Sequence, residues 1–292
     1  MLNKIKSELL NFGLKFISVD EKIVRMILET TPSKVNEIII LPAVKIVMKK
    51  LVNKLQNKVV HGRVYNGTLN GIRVSIIRSQ IGCPNVAMTV ECLKRTKAKL
   101  IVRLDVCGGI HDLADNITIG DLIVPKTAYC DDGTSPQYIR ANPMLMNQLE
   151  SIQNPLSTIQ NITTGNQTIY IAKPDELLKD LLFNEAYTLE PKLTKEIDLL
   201  TTDALFCESY DFISALKKIN IQAIDMESSI LFLLGKLYNI KVASILSVSD
   251  LPTHPQYDLL TTNELHPNME IGIDKSIKIL IRSLPKINHS IF

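Results

Sequence analysis

The chain has 292 residues, 46% of them apolar and 22% charged, with a net charge of +3. This composition fits a globular protein with a substantial core and argues against nucleic acid as a partner, since no dense Lys/Arg block is present. Trp is absent and aromatic residues make up 5%, which excludes a base-stacking platform for single strands. The five cysteines (Cys83, Cys92, Cys107, Cys130 and Cys207) form no CxxC pair and no zinc spacing, as expected of free thiols in a reducing compartment.

In chain order, residues 1–30 carry apolar positions at helical spacing through Leu9, Leu10, Ile23, Val24, Met26 and Ile27. Charged residues interrupt the start, so no signal peptide is expected there. No apolar run approaches membrane-span length. The reading is a cytoplasmic protein with no membrane partner. Strands are predicted at EIIIL (37–41), RVSIIR (73–78), KLIVRLD (99–105), DLIVP (121–125), IYIA (169–172) and KVASILSVSD (241–250). Helical patterns at 85–98 and 225–238 separate several of them. Near-continuous apolar strands alternating with helices predict an α/β fold: one domain with a mixed, twisted central sheet flanked by helices. The expected organisation is a helical extension over 1–35 and an α/β domain over 36–292, with a polar insertion near 141–168.

Ligands of α/β sheets gather at the carboxyl ends of strands. Arg103 interrupts an apolar run that leads into DVCGGI, so it requires either a carboxylate partner or a bound anion. Gly108 and Gly109 suit a tight turn or close approach to a ligand. Asp250 ends the last strand, as a turn residue before Pro252 or as a general acid. Asp203 in TTD reads as a helix N-cap. Glu227 stands at the head of an apolar helical stripe with Ile230, Leu231 and Leu234, either escaping to solvent or held to bind a ligand. The five histidines have no metal-binding spacing, so no metal is expected, and no nucleophile-elbow sequence is present.

The order of these elements carries more than any one of them. Arg103 with VCGG, then GDLIVP, DDGTS, TTDALF, AIDMESS and SVSD resembles the nucleoside phosphorylase family over residues 36–285. That family includes purine nucleoside phosphorylases, uridine phosphorylases and nucleosidases. The resemblance implies cleavage of the N-glycosidic bond of a ribonucleoside by phosphate, with purine favoured over uridine. It implies Asp250, Glu227 and Arg103 as catalytic residues and Arg103 on phosphate. Met226 and Glu227 would hold the ribose, with the helix start keeping Glu227 ionised. Cys107, Gly108, Phe206, Ile224 and Asp250 would face the base, with Leu205 or Phe206 covering the pocket. No cofactor is implied beyond phosphate as co-substrate, and the expected assembly is a homo-oligomer, a dimer or hexamer. A neighbouring subunit often supplies a histidine near the amino terminus, but this chain has none before His61.

The phosphate site departs from the family pattern. Val106 stands where a hydroxyl residue is expected, and Asp105 replaces a glycine. The Gly-Asp-Pro-x-Arg type loop expected after IIILP is missing, because the sequence runs on as AVKIVMKKL. Lys45 or Lys49, or the helix start after Pro42, would have to replace it. SILSVSDLPTHP followed by ELHPNMEIGIDKSI is similar to the carboxyl-terminal part of AMP nucleosidases, which use water. Hydrolysis of a purine nucleoside or nucleotide, and nucleoside binding without turnover, are therefore the alternatives.

Overall fold

The computed structural model describes residues 17–111, 116–154 and 168–292. Helix α1 (Val19–Leu28) opens with Ser18, whose hydroxyl accepts from the Glu21 N–H at 3.1 Å, a standard N-cap. It buries Val24 and Leu28, one turn apart. The opposite face carries Arg25 paired with Glu21. This helix packs on the rest of the chain: Arg95 bridges to Asp20, and Arg63 donates to the Ile27 carbonyl. Residues 1–16 of the predicted helix lie outside the described residues.

The strands are β1 (Ile38–Ile40), β2 (Gln56–His61), β3 (Val64–Leu69), β4 (Ile72–Ile77), β5 (Leu100–Gly109), β6 (Leu122–Cys130), β7 (Glu150–Gln153), β8 (Thr168–Ala172), β9 (Thr194–Thr201), β10 (Ala223–Asp225) and β11 (Lys241–Asp250). They form one mixed sheet in the order β2-β3-β4-β1-β5-β10-β9-β6-β8-β7, with β11 paired to both β5 and β6. Strand β11 runs parallel to β5 and antiparallel to β6. Because β5, β10, β9 and β6 are already linked, β11 closes these five strands into a ring. Its central residues are buried on both faces, so its sequence reads as a near-continuous apolar run.

The helices are α2 (Lys45–Lys54), α3 (Cys83–Leu93), α4 (Ser135–Ala141), α5 (Pro143–Met146), α6 (Glu176–Leu189), α7 (Tyr210–Lys218), α8 (Ser228–Tyr238) and α9 (Pro267–Ile291). Together they cover the sheet. Helix α8 is apolar almost all round because it is buried between α3, β6 and β11. The predicted polar insertion holds α5 and β7, and residues 155–167 of it lie outside the described residues.

Two local readings are corrected. Gly108 and Gly109 form no turn: they end β5, paired to Ile224 and Ala223 of β10. Their value is close approach, since a Cβ on Gly108 would come within 3.0 Å of Pro252 Cγ. Asp203 caps no helix. Its carboxylate accepts the Gly133 N–H at 2.7 Å and so joins the loop after β9 to the loop after β6.

Candidate active site

The carboxyl ends of β5, β10 and β11 meet around a cavity of about 160 Å³. Arg103, Cys107, Gly108, Ile224, Met226, Glu227 and Asp250 all line it, together with Leu205, Glu208 and Ser249. The structure thus brings every predicted site residue to one cavity except Phe206. Phe206 is 84% exposed. In the short 3₁₀ turn Leu205–Cys207, successive side chains diverge by about 120°, so Leu205 faces the cavity and Phe206 faces away.

Arg103 is 1% exposed, and its partners are protein carboxylates. Nη1 donates to Asp225 Oδ2 at 2.8 Å and to Ser228 Oγ at 3.2 Å. Nη2 makes a short bond to Glu227 Oε2 and lies 3.8 Å from Asp105 Oδ2. Burial alone would lower the Arg103 pKa, but Glu227, Asp225 and Asp105 together raise it, so the guanidinium stays charged. Nε has no partner among the described residues. Of the two roles the sequence leaves open for this residue, these contacts supply the ion pair.

Glu227 precedes α8 as its N-cap residue and is 4% exposed. It does not sit on the helical stripe or escape to solvent. Its Oε1 accepts the Gly82 N–H at 2.8 Å, and its Oε2 faces Arg103. The helix start does not keep it freely ionised: burial pushes its pKa up, opposed by Arg103 and reinforced by Asp225 and Asp105. Asp225 is the residue that sequence reasoning passed over. It accepts from Arg103, from Thr201 Oγ1 at 2.6 Å and from the Ser228 N–H at 3.0 Å. It therefore ties β5, β9 and the start of α8 together. Its position directly before Met226 and Glu227 was the available signal.

Asp250 is reached through an irregularity in pairing. Val248 pairs with Cys107 and Asp250 with Gly108, leaving Ser249 as an extra residue. Such a bulge re-aims the side chains that follow it. Ser249 Oγ donates to Asp250 Oδ1 at 2.6 Å and also contacts the Cys107 carbonyl at 3.1 Å. Asp250 is 7% exposed. Burial pushes its pKa up to about 6 against the Ser249 and Leu259 hydrogen bonds.

Glu208 is a second carboxyl on the cavity wall that was not anticipated. Burial and the nearby Asp250 and Asp258 push its pKa up to about 8. The candidate phosphate ligands Lys45 and Lys49 are not at this site. They line a separate cavity with Arg63 and Arg78. The N–H groups after Pro42 are also engaged: Ala43 N–H makes a short bond to Asp105 Oδ2, and Val44 N–H reaches Oδ1 at 3.4 Å. Among the described residues no cluster of metal-ligating side chains is present, and no helix is long and apolar enough to cross a membrane.

The family model of the phosphorylase superfamily matches residues 37–285. The chain belongs to that superfamily of enzymes. It is 22% identical over 223 residues to a guanosine phosphorylase of Halorubrum lacusprofundi, covering 76% of this chain and 80% of the relative. It is 25% identical over 220 residues to a DeoD-type purine nucleoside phosphorylase of Bacillus cereus, covering 73% and 80%. Its fold matches the crystal structure of a purine nucleoside phosphorylase of Toxoplasma gondii with a TM-score of 0.67 at 17% identity, over 90% of this chain and 96% of that one.

Proposed function

We propose that the chain cleaves the N-glycosidic bond of a purine ribonucleoside. The observation that carries this reading is one cavity lined by two kinds of carboxyl: Glu227, buried and charge-paired, and Asp250, buried with its pKa pushed up to about 6. As the bond breaks, positive charge grows on the sugar and electrons flow into the base. Glu227 accepts hydrogen bonds from the vicinal ribose hydroxyls through lone pairs that Gly82 and Arg103 leave open. Met226 packs on the sugar. Asp250 donates its proton to N7 of the base, so that a neutral purine departs. Glu208, which holds its proton to about pH 8, donates a hydrogen bond to an acceptor on the base. Cys107, Gly108, Ile224 and Leu205 enclose the ring.

A pyrimidine has no N7 for Asp250 to protonate, which is why purine is favoured over uridine. Phosphate as acceptor, the expectation from the sequence, needs a cation free to bind it. Pairing of Arg103 to Asp225 and Glu227 favours the second reading, hydrolysis. Chromatography of inosine, adenosine, guanosine, uridine and AMP after incubation with the enzyme, with and without phosphate, tests the assignment. Release of free purine base is expected. Faster release of uracil would overturn the base assignment, and no release from any substrate would reduce the site to a binding pocket.

A further inference from the structure

Two backbone N–H groups and a guanidinium converge where β1 gives way to α2. Val44 is the N-cap residue of α2 and Ala43 precedes it. N–H groups at a helix start carry partial positive charge, and beside an arginine they make a general anion-binding arrangement. Here the anion is part of the chain. Asp105 stands two residues after Arg103 on β5, so both side chains leave the same face of the strand. Its carboxylate accepts from the Ala43 and Val44 N–H groups and lies 3.8 Å from Arg103. Asp105 is fully buried, whereas Val44 and Arg103 form part of the cavity wall. With Glu227 also on Nη2 and Asp225 on Nη1, the guanidinium faces three carboxylates. An inorganic phosphate brought to this place would add negative charge to a cluster in which carboxylates already outnumber cations, at short range and away from water.

We infer that Asp105 is a tethered stand-in for an anionic co-substrate: its carboxylate fills the anion site behind the cavity, and the glycosyl acceptor is therefore water. The inference rests on the reading of the cavity as a nucleoside-cleaving site. In the reaction a bond forms between the water oxygen and C1′ of the ribose, and the C1′–N9 bond breaks. The bonding electrons go to the base, which takes the Asp250 proton. One water proton passes to solvent, from which Asp250 is reprotonated. Nucleoside plus water thus gives free pentose plus purine base.

The test uses the full chain with inorganic phosphate as the probe. Over the phosphate range that saturates Asp105→Gly, calorimetric titration should show no saturable binding to the wild-type protein. If the tethered carboxylate leaves the site open in about 1% of molecules, the apparent affinity of the wild type is about 100-fold weaker than that of the variant. With a purine nucleoside, the wild type should release free pentose at a rate indifferent to phosphate. Asp105→Gly should form the pentose 1-phosphate in proportion to added phosphate. Saturable phosphate binding or pentose 1-phosphate formation by the wild type overturns the inference. Absence of cleavage in both proteins defeats the nucleoside reading, but the titration still decides the anion site: a gain in phosphate affinity supports its occlusion, and no gain overturns it. Should Asp105→Gly fail to fold, Asp105→Ala, which also withdraws the side-chain oxygens from the Ala43 and Val44 N–H groups, is judged by the same two titration outcomes.

Discussion

A carboxylate as buried as Glu227 has to be compensated, and Arg103 with the Gly82 N–H does so. The same contacts fix its direction, so in the proposed reaction it would meet the sugar already oriented, with no reorganisation needed as charge develops. Glu227→Gln keeps the shape and removes the charge. It should lower kcat by about 100-fold or more while KM changes less, the signature of an interaction strengthened in the transition state. Steady-state kinetics on the best purine nucleoside checks this. In the proposed role Asp250 would act as an acid only while protonated, and its pKa is pushed up to about 6. Turnover should therefore fall as pH rises through that value, and Asp250→Asn should be slow with this limb of the pH profile gone. For Glu208, whose pKa lies near 8, the uncharged form is the one present at neutral pH. Glu208→Gln should therefore retain most activity, whereas Glu208→Ala should lose discrimination among purine bases in competition assays.

At the scale of elements, the end of β5 and the bulge in β11 place the chemistry. Gly109 lies beneath the bulge: a Cβ there would meet Ile117 Cγ2 at 2.6 Å and Val248 Cγ1 at 2.9 Å. Gly109→Ala should destabilise by about 1–3 kcal/mol, the cost of overpacking a filled core, and should displace Asp250 with it. Urea denaturation reads the first effect and kcat the second. Apolar runs marked β1, β5, β11 and the first half of β6 in the sequence because segments buried on both faces need little else. The β2–β3 hairpin was not legible: QNKVVH is exposed along almost its whole length and lacks apolar alternation. Strand β10 is only three residues long, too short for any periodicity to show. Of the site, residues carried by local motifs could be read. The Asp105 contact with Ala43 and Val44 could not, because it joins positions some sixty residues apart through strand pairing that no local pattern encodes. Phe206 lies off the cavity because neighbouring residues of a 3₁₀ turn look equivalent in sequence but point about 120° apart in space.

For the whole molecule, closing five strands into a ring lets three strand ends converge on one cavity, and it buries acids in the process. Glu208 is pushed up from 4.5 to about 8, Asp131 from 3.8 to about 7 and Asp250 from 3.8 to about 6, with burial the largest cause for each. An acid whose folded pKa lies above its unfolded value binds more protons in the folded state between the two. Stability then falls as pH rises through that window. All three groups act in the same direction, and their combined window runs from 3.8 to about 8. Glu91 opposes them only in acid: its pKa is lowered to about 2 because bonds from Lys94, Tyr238 and Arg95 outweigh burial. Its contribution is complete above 4.5 and is lost as pH falls toward 2. Between these limits the protein should melt at a higher temperature in mildly acidic than in mildly alkaline buffer, the reverse of a fold held by exposed carboxylate ion pairs alone. Thermal melts across that range check it, and Glu208→Gln should flatten the alkaline part of the curve. A Tm that rises with pH through this window would show that these carboxyls are solvated in the folded protein, and the acid roles of Asp250 and Glu208 would fall with it.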